Sequence, residues 1–338
     1  LKAGQGEVAV LQGFERFYRE EAAAAMTSAR KGLELLSPQA GHIRSMAYCI
    51  IGDGFQMQGQ VDQAVRTFKE ALKDRTWPAV LRARMLHGLC IVHFFEGDLD
   101  GVLEAGSECL RIGQESRLPE STSYGRYDVG VAHYLRNEFA QAEPYLLALL
   151  EDQDLSTPTY LAFGAFALAM IYESRGLCSE AVQLIEAVST YLQETAQQVA
   201  HEIARAFKVE LAIRQGKLAE ARHLSKKVDF DARSPRWYFY IPQLTQFKLF
   251  LAQGTPESLE EARTGLDAFE EEMRKINRNH VRIDALNLQA LVLRAMGAEE
   301  TALRKLNAAL DLGAQGGFIR NFLDLGPPMA DLLIRLYR

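Results

Sequence analysis

His87, Cys90 and His93 are the residues of this chain that come nearest to a metal-ligating set. Spaced three apart, they would place two imidazoles and a thiol on one helix face, the donor types that bind zinc. No fourth ligand offers itself nearby, so packing is the competing reading of the same three residues. The densest aromatic run is Arg236-Trp237-Tyr238-Phe239-Tyr240-Ile241-Pro242, which opens a helix after Ser234-Pro235. Such a run would clamp a sugar-like ligand or act as an apolar wedge between helices. Glu270-Glu271-Glu272-Met273-Arg274-Lys275, with Arg278, His280 and Arg282 behind it, switches from acidic to basic. Glu270/Arg274 and Glu271/Lys275 are i, i+4 pairs worth roughly 0.2–0.5 kcal/mol each, the pattern of a solvated helix face. Nucleophilic chemistry has no foothold. There is no GxSxG turn, no HExxH, no GxxxxGK[ST] phosphate loop and no cysteine with an evident activating partner. Carboxylate pairs such as Glu260/Glu261 read as helix surface. These residues describe a protein that binds rather than catalyses, with no metal and no cofactor.

The elements that would carry such a function are helices in series. At 338 residues the chain exceeds one compact all-α core. A hydrophobic content of 48% argues for order, and a net charge of −6 argues against a dedicated nucleic-acid surface. Cys49, Cys90, Cys109 and Cys178 are scattered without a CxxC pair, as free thiols in a reducing compartment would be. The opening Leu1-Lys2-Ala3-Gly4 has no initiator Met or signal-peptide core, and no apolar run approaches the ~18 residues of a membrane span. The expectation is a cytoplasmic piece of a larger chain, with no membrane contact.

Small residues reveal a repeat. A helix-length segment ends at a Gly or Asn, and five residues later an Ala opens a second helix: Gly59/Ala64, Asn137/Ala142, Gly176/Ala181, Gly216/Ala221 and Gly297/Ala302. Gly97/Val102 repeats the step with Val, and Gly254/Ala262 carries three extra residues around Thr255–Ser258. Successive turn residues lie 38, 40, 39, 40, 38 and 43 apart, a regularity that scattered glycines would not give. The Gly or Asn supplies the left-handed conformation that stops the first helix, and the Ala lets the second pack closely. One pair cannot bury its apolar stripe alone, so the pairs must stack. The spacing predicts pairs over 41–73, 79–112, 120–151, 158–193, 197–228, 236–272 and 280–312, after an earlier helix near 15–36.

The Gly-x4-Ala step resembles the tetratricopeptide motif, with a small residue seven before the turn at Gly52, Cys90, Gly130, Ala169 and Ala290. Phe55, Tyr172 and Phe250 fill its aromatic position four before the turn, while Phe68 and Ala71 follow Ala64 as the motif prescribes. Val209 and Phe247 depart from it, and the period near 40 exceeds the standard 34. Cys90 and His93 then fall where the motif faces a partner helix, which favours packing over metal; His133 takes the same position as His93. The tail Gly316-Gly317-Phe318-Ile319-Arg320-Asn321-Phe322-Leu323-Asp324-Leu325-Gly326-Pro327-Pro328-Met329-Ala330 is similar to the segment closing the repeat domain of MalT-like, ATP-dependent LuxR-family transcription regulators. That resemblance implies an all-α, right-handed superhelical solenoid of about seven to eight pairs as one domain over 1–338, with a partial N-terminal repeat in 1–36 and a closing segment in 313–338. It implies a sensor that receives a small-molecule inducer or regulatory protein and passes the signal to ATPase and DNA-binding domains of the parent chain. This fragment itself would touch no nucleic acid. The alternative is a scaffold that docks a peptide or protein with no small-molecule role.

In tetratricopeptide solenoids the first helix of each pair lines the concave face, at positions 13, 10, 6, 3 and 2 before the turn. Carried onto this chain, the resemblance assigns ligand or partner contacts to Asp53 and Gln56 in the first of these pairs, Arg84 and His87 in the second, Tyr124, Tyr127 and Tyr134 in the third, and Phe163, Phe166 and Glu173 in the fourth. Aromatic faces with sparse polar anchors suit a small molecule or peptide, at roughly 0.5–1.5 kcal/mol per ring contact, although packing within the repeat uses the same residues. Later pairs offer Ile241, Leu244 and Lys248, then Asp284, Asn287, Leu291 and Arg294, a less aromatic set. The expected object is a curved rod whose hollow side is open to the surroundings.

Overall fold

The computed structural model describes residues 2–74, 76–230 and 239–337, and every regular element among them is helical. Eight helix pairs follow one another: α1 (Lys2–Tyr18) with α2 (Ala22–Leu35), α3 (Gly41–Met57) with α4 (Val61–Lys73), α5 (Ala79–Glu96) with α6 (Leu99–Glu115), and α7 (Pro119–Leu135) with α8 (Phe139–Glu151). Then come α9 (Pro158–Ser174) with α10 (Cys178–Glu194), α11 (Gln198–Arg214) with α12 (Leu218–Ser225), α13 (Pro242–Gln253) with α14 (Pro256–Lys275), and α15 (Asn279–Ala295) with α16 (Glu299–Gly316). Two short helices, α17 (Arg320–Leu323) and α18 (Gly326–Leu336), close the chain. Arg236, Trp237 and Tyr238 of the aromatic run lie outside the described residues.

The turn chemistry works as the repeat requires. Gly59, Gly97, Asn137, Gly176, Gly216, Gly254 and Gly297 all have φ between 63° and 83°, a region that costs other residues about 1–2 kcal/mol. The alanines five residues on, Ala64, Ala142, Ala181, Ala221 and Ala302, are fully buried. At the irregular turn, Thr255 caps α14 by accepting a bond from the Ser258 amide at 3.2 Å, and the Ser258 hydroxyl accepts one from the Thr255 amide at 3.0 Å. The three extra residues therefore lengthen α14 at its start and leave Ala262 buried in register. Phe68 shows why the small positions exist. A Cβ on Gly52 of α3 would stand 2.3 Å from its ring, and one on Gly88 of α5 would stand 2.5 Å away. Two glycines thus make the slot that locks one pair onto the next.

Residues 1–36, expected as a partial repeat with one helix near 15–36, hold two helices instead. The break is Glu20, a non-glycine residue at φ 60°. Glu20 lies five before Ala25 and 39 before Gly59, with Gly13 at the small position seven residues earlier. The step was present in the sequence but carried no Gly or Asn to mark it.

The solenoid is not an open rod. Helix α5 packs against α15, and α7 against α17, so the superhelix returns upon itself. Gly316, at the end of α16, sits so close to the Gly97 turn that a Cβ there would fall 1.6 Å from the Gly97 carbonyl oxygen. Across the same junction the Arg278 guanidinium lies 3.3 Å above the Phe95 ring centre, and Arg278 donates to Gln56 Oε1 at 3.2 Å. Asn279 Nδ2 reaches Glu96 Oε2 at 3.3 Å. Closure covers part of the inner face and leaves the rest as a defined cleft.

Candidate functional site

That cleft has a volume of about 1010 Å³. One wall is the last turn of four successive inner helices: Met170 and Glu173 of α9, Ile213 and Arg214 of α11, Leu251 and Ala252 of α13, Leu291 and Arg294 of α15. These residues stand six, three or two before their turn residues, so the helical offset that repeats along the chain aims them at one surface. The opposite wall is the closing segment, from Arg320 to Asp331. Four acids (Glu173, Glu210, Asp324, Asp331) meet four bases (Arg214, Lys248, Arg294, Arg320) around it. Balanced charge of this kind disfavours a polyanion and suits a neutral or zwitterionic ligand with an apolar part.

Behind the cleft lies a chamber of about 80 Å³, bounded by Tyr134, Glu210, Lys248, Asp284, Asn321 and Asp324 among others. Glu210 is its hub. Its Oε1 accepts from Lys248 Nζ at 2.8 Å and Arg214 Nε at 2.9 Å, and its Oε2 accepts from the Thr245 hydroxyl at 2.9 Å. Burial alone would raise this carboxyl, but Lys248 and Arg214, with the hydrogen bonds from Lys248 and Thr245, outweigh burial and hold it at about 2. Asp284 has the opposite fate. Burial lifts it to about 6 against the pull of Lys248 and the bond from Asn321 Nδ2, 2.8 Å long. Arg214 also reaches across, donating to the main-chain oxygen of Asp324 at 2.7 Å. The Asp324 carboxylate receives the Tyr134 hydroxyl and the Arg320 guanidinium.

Of the residues assigned from the motif, Glu173 lines the cleft and Tyr134 lines the chamber. The rest do not reach either space. Phe163 and Phe166 are fully buried, and Phe166 stacks on Phe207 with ring centres 4.1 Å apart. Tyr127 is buried and stacks on Tyr160 at 4.6 Å. His87 is buried under Tyr124 at 4.4 Å, with Nδ1 2.8 Å from Asp128 Oδ2 and Nε2 2.8 Å from the Tyr160 hydroxyl. Tyr124 donates to Glu120 at 2.5 Å, and Arg84 lies 3.2 Å from the Ser45 hydroxyl. Asp53 is buried in α3, and Gln56 is spent on the closure, donating to the Asn277 carbonyl at 2.5 Å. Where the sequence pattern puts an aromatic wall for a ligand, the structure has rings packed on rings. Cys90 Sγ points to the Val102 carbonyl at 3.7 Å and His93 Nδ1 pairs with Asp98 at 2.8 Å, so the three residues of the metal pattern turn to different partners. Of the aromatic run, Tyr240 is buried and bonds Thr245 at 2.7 Å.

Sequence reasoning missed Glu210, Ile213 and Arg214, although they sit six, three and two before Gly216. The signal was the same offset rule applied to the pair α11–α12. Lys248, Leu291 and Arg294 were found by that rule and passed over for want of aromatics.

The class of protein is thus a tetratricopeptide-type helical-repeat solenoid, closed on itself around an internal cleft. More particularly, the chain belongs to the family of the MalT-like TPR region, whose profile matches residues 6–338. Its fold is shared with a Rap protein complexed with Competence and Sporulation Factor, at TM-score 0.62 and 14% identity over 87% of this chain and 80% of that one. The apo form of RapI superposes at TM-score 0.55 and 13% identity, over 92% of this chain and 98% of that one. A tetratricopeptide repeat protein from Parabacteroides merdae gives TM-score 0.52 and 15% identity, over 86% and 99%. No curated protein sequence matches the chain. Among the described residues no helix is long and apolar enough to cross a membrane.

Proposed function

We propose that this chain is the effector- or partner-sensing region of a bacterial transcription regulator, and that it binds in the inner cleft rather than catalysing a reaction. The observation that carries this reading is the cleft itself. About 1010 Å³ lined by groove positions of four consecutive pairs is the size and concavity of a small-molecule or short-peptide site. Membership of the MalT-like family supports a regulator as the parent chain, with ATPase and DNA-binding parts in the same polypeptide and a cytoplasmic setting. The mechanism is a population shift: an occupant touching both the solenoid wall and the closing segment favours the closed superhelix over an opened one. Turning a mostly resting regulator into a mostly active one needs about 5.5 kcal/mol of preference between the two states.

The test is a thermal-shift panel of sugars, nucleotides, amino acids and peptides on the wild-type chain and on Ala252→Trp. Ala252 is exposed on the inner wall, so an indole there fills the cleft without disturbing the core. A ligand should raise the wild-type Tm and lose at least tenfold in affinity with the variant. A ligand that binds both chains alike removes the cleft as its site.

A further inference from the structure

We infer that residues 317–331 are a resident self-ligand of the inner face, and that the partner class this face takes is a peptide carrying an acidic residue. The inference goes beyond the binding reading above: there the segment is one wall of the cleft, and here it is what a peptide displaces. Three inner-face side chains donate to main-chain carbonyls of the closing segment. Asn287 Nδ2 reaches the Asn321 oxygen at 3.2 Å, Arg214 reaches that of Asp324 at 2.7 Å, and Arg294 reaches that of Pro328 at 2.8 Å. A main-chain bond joins them, from the Ile319 amide to the Leu135 carbonyl at 2.9 Å. Contacts to main-chain carbonyls ask only for a peptide in the right place, whatever its side chains.

Side-chain selectivity comes from one carboxylate and two rings. Asp324 is held by the Tyr134 hydroxyl at the back of the chamber, and Arg320 bridges it to the aromatic faces of Tyr134 and Phe139 at 5.8 and 4.9 Å. Phe318 and Phe322 are buried, while Ile319 and Leu323, the residue after each, are about half exposed. The segment therefore turns its acid to the inner face, while Phe318 and Phe322 anchor it against Gly313 and Gly316 of α16 and the Gly97 turn. Of the donors that hold it, Arg214 of α11 and Arg294 of α15 also line the open cleft, while Asn287 of α15 is fully buried. A peptide from elsewhere with an acid two residues after an apolar anchor meets the same donors once the resident segment is out.

The experiment uses the full chain carrying Phe318→Asp and Phe322→Asp, which evicts the segment and leaves every groove side chain in place. A fluorescein-labelled synthetic peptide of wild-type sequence 317–331 is titrated by anisotropy. Micromolar binding to the evicted chain is expected, with none to the wild type, whose face is already filled. The Asp324→Asn peptide should bind at least tenfold more weakly. Absence of peptide binding to an evicted chain of full helical circular dichroism overturns the inference. Should the double variant lose its helical signal, the reading moves to Arg214→Ala by amide hydrogen exchange. There the amides of 319–325 must exchange at least tenfold faster while those of α9 stay unchanged; unaltered protection in the segment overturns the inference equally. A peptide that fails here leaves an effector found in the thermal panel untouched. A panel result independent of Ala252→Trp removes the effector site and leaves a bound peptide standing.

Discussion

Asp284 is the residue at which the chamber's electrostatics can be read most directly. Its carboxyl sits at about 6 in the folded chain against 3.8 for the ordinary group, because burial disfavours the charge more than Lys248 and Asn321 favour it. A folded value above the unfolded one means that the folded state keeps its proton longer. The stabilising share is present below pH 3.8 and is lost as pH rises through about 6. Asp284→Asn keeps an oxygen for the bond from Asn321 and removes the charge. With those two values the linkage relation gives the variant an advantage of about 3 kcal/mol at pH 7.5 and about 0.5 kcal/mol at pH 4. Asp284 is only partly buried and borders the chamber of about 80 Å³, so solvent screening brings the expected gain at pH 7.5 to roughly 1–3 kcal/mol. Urea unfolding of both chains at the two pH values measures it, through the midpoint at constant m. Equal effects at pH 4 and pH 7.5, or a loss at pH 7.5, would refute the argument that an under-compensated buried charge sits at this wall.

Glu210 should behave in the opposite sense. Its carboxyl is held at about 2 against 4.5, so its stabilisation is present above pH 4.5 and disappears as pH falls toward 2. Glu210→Gln leaves Lys248 and Arg214 without their shared negative charge and should cost about 3–5 kcal/mol at pH 7, with the deficit shrinking in acid; denaturant titration at pH 7 and pH 3 reads both. Gly316→Ala forces a Cβ into the Gly97 carbonyl and should cost about 1–3 kcal/mol. Its signature is local: exchange should quicken at residues 97 and 317–320 while α9 and α10 hold, and uniform destabilisation would count against closure at that point.

The repeat frame was legible without coordinates because its signals are local. A left-handed turn residue, a close-packed alanine five later and a slot for a ring such as Phe68 are each set within one or two pairs, so pair boundaries follow from spacing. The N-terminal pair escaped only because Glu20 takes a conformation that its residue type does not advertise. The inner-face offsets were equally readable: applied evenly, they reach Glu173, Glu210, Arg214, Lys248 and Arg294. What the offsets do not carry is which turn of the superhelix lies opposite. His87, Tyr127, Phe163 and Lys248 all occupy groove positions, yet the first three are covered by rings from neighbouring pairs and the last borders a cavity. That outcome depends on how a small rotation per pair accumulates until α16 meets the α5–α6 turn, and on where the closing segment then falls. Periodicity fixed which side of each helix turns inward; only the closed superhelix decided which part of that inward side remains open, because covering it takes contacts between residues hundreds of positions apart, such as Gln56 with Arg278 and Tyr134 with Asp324.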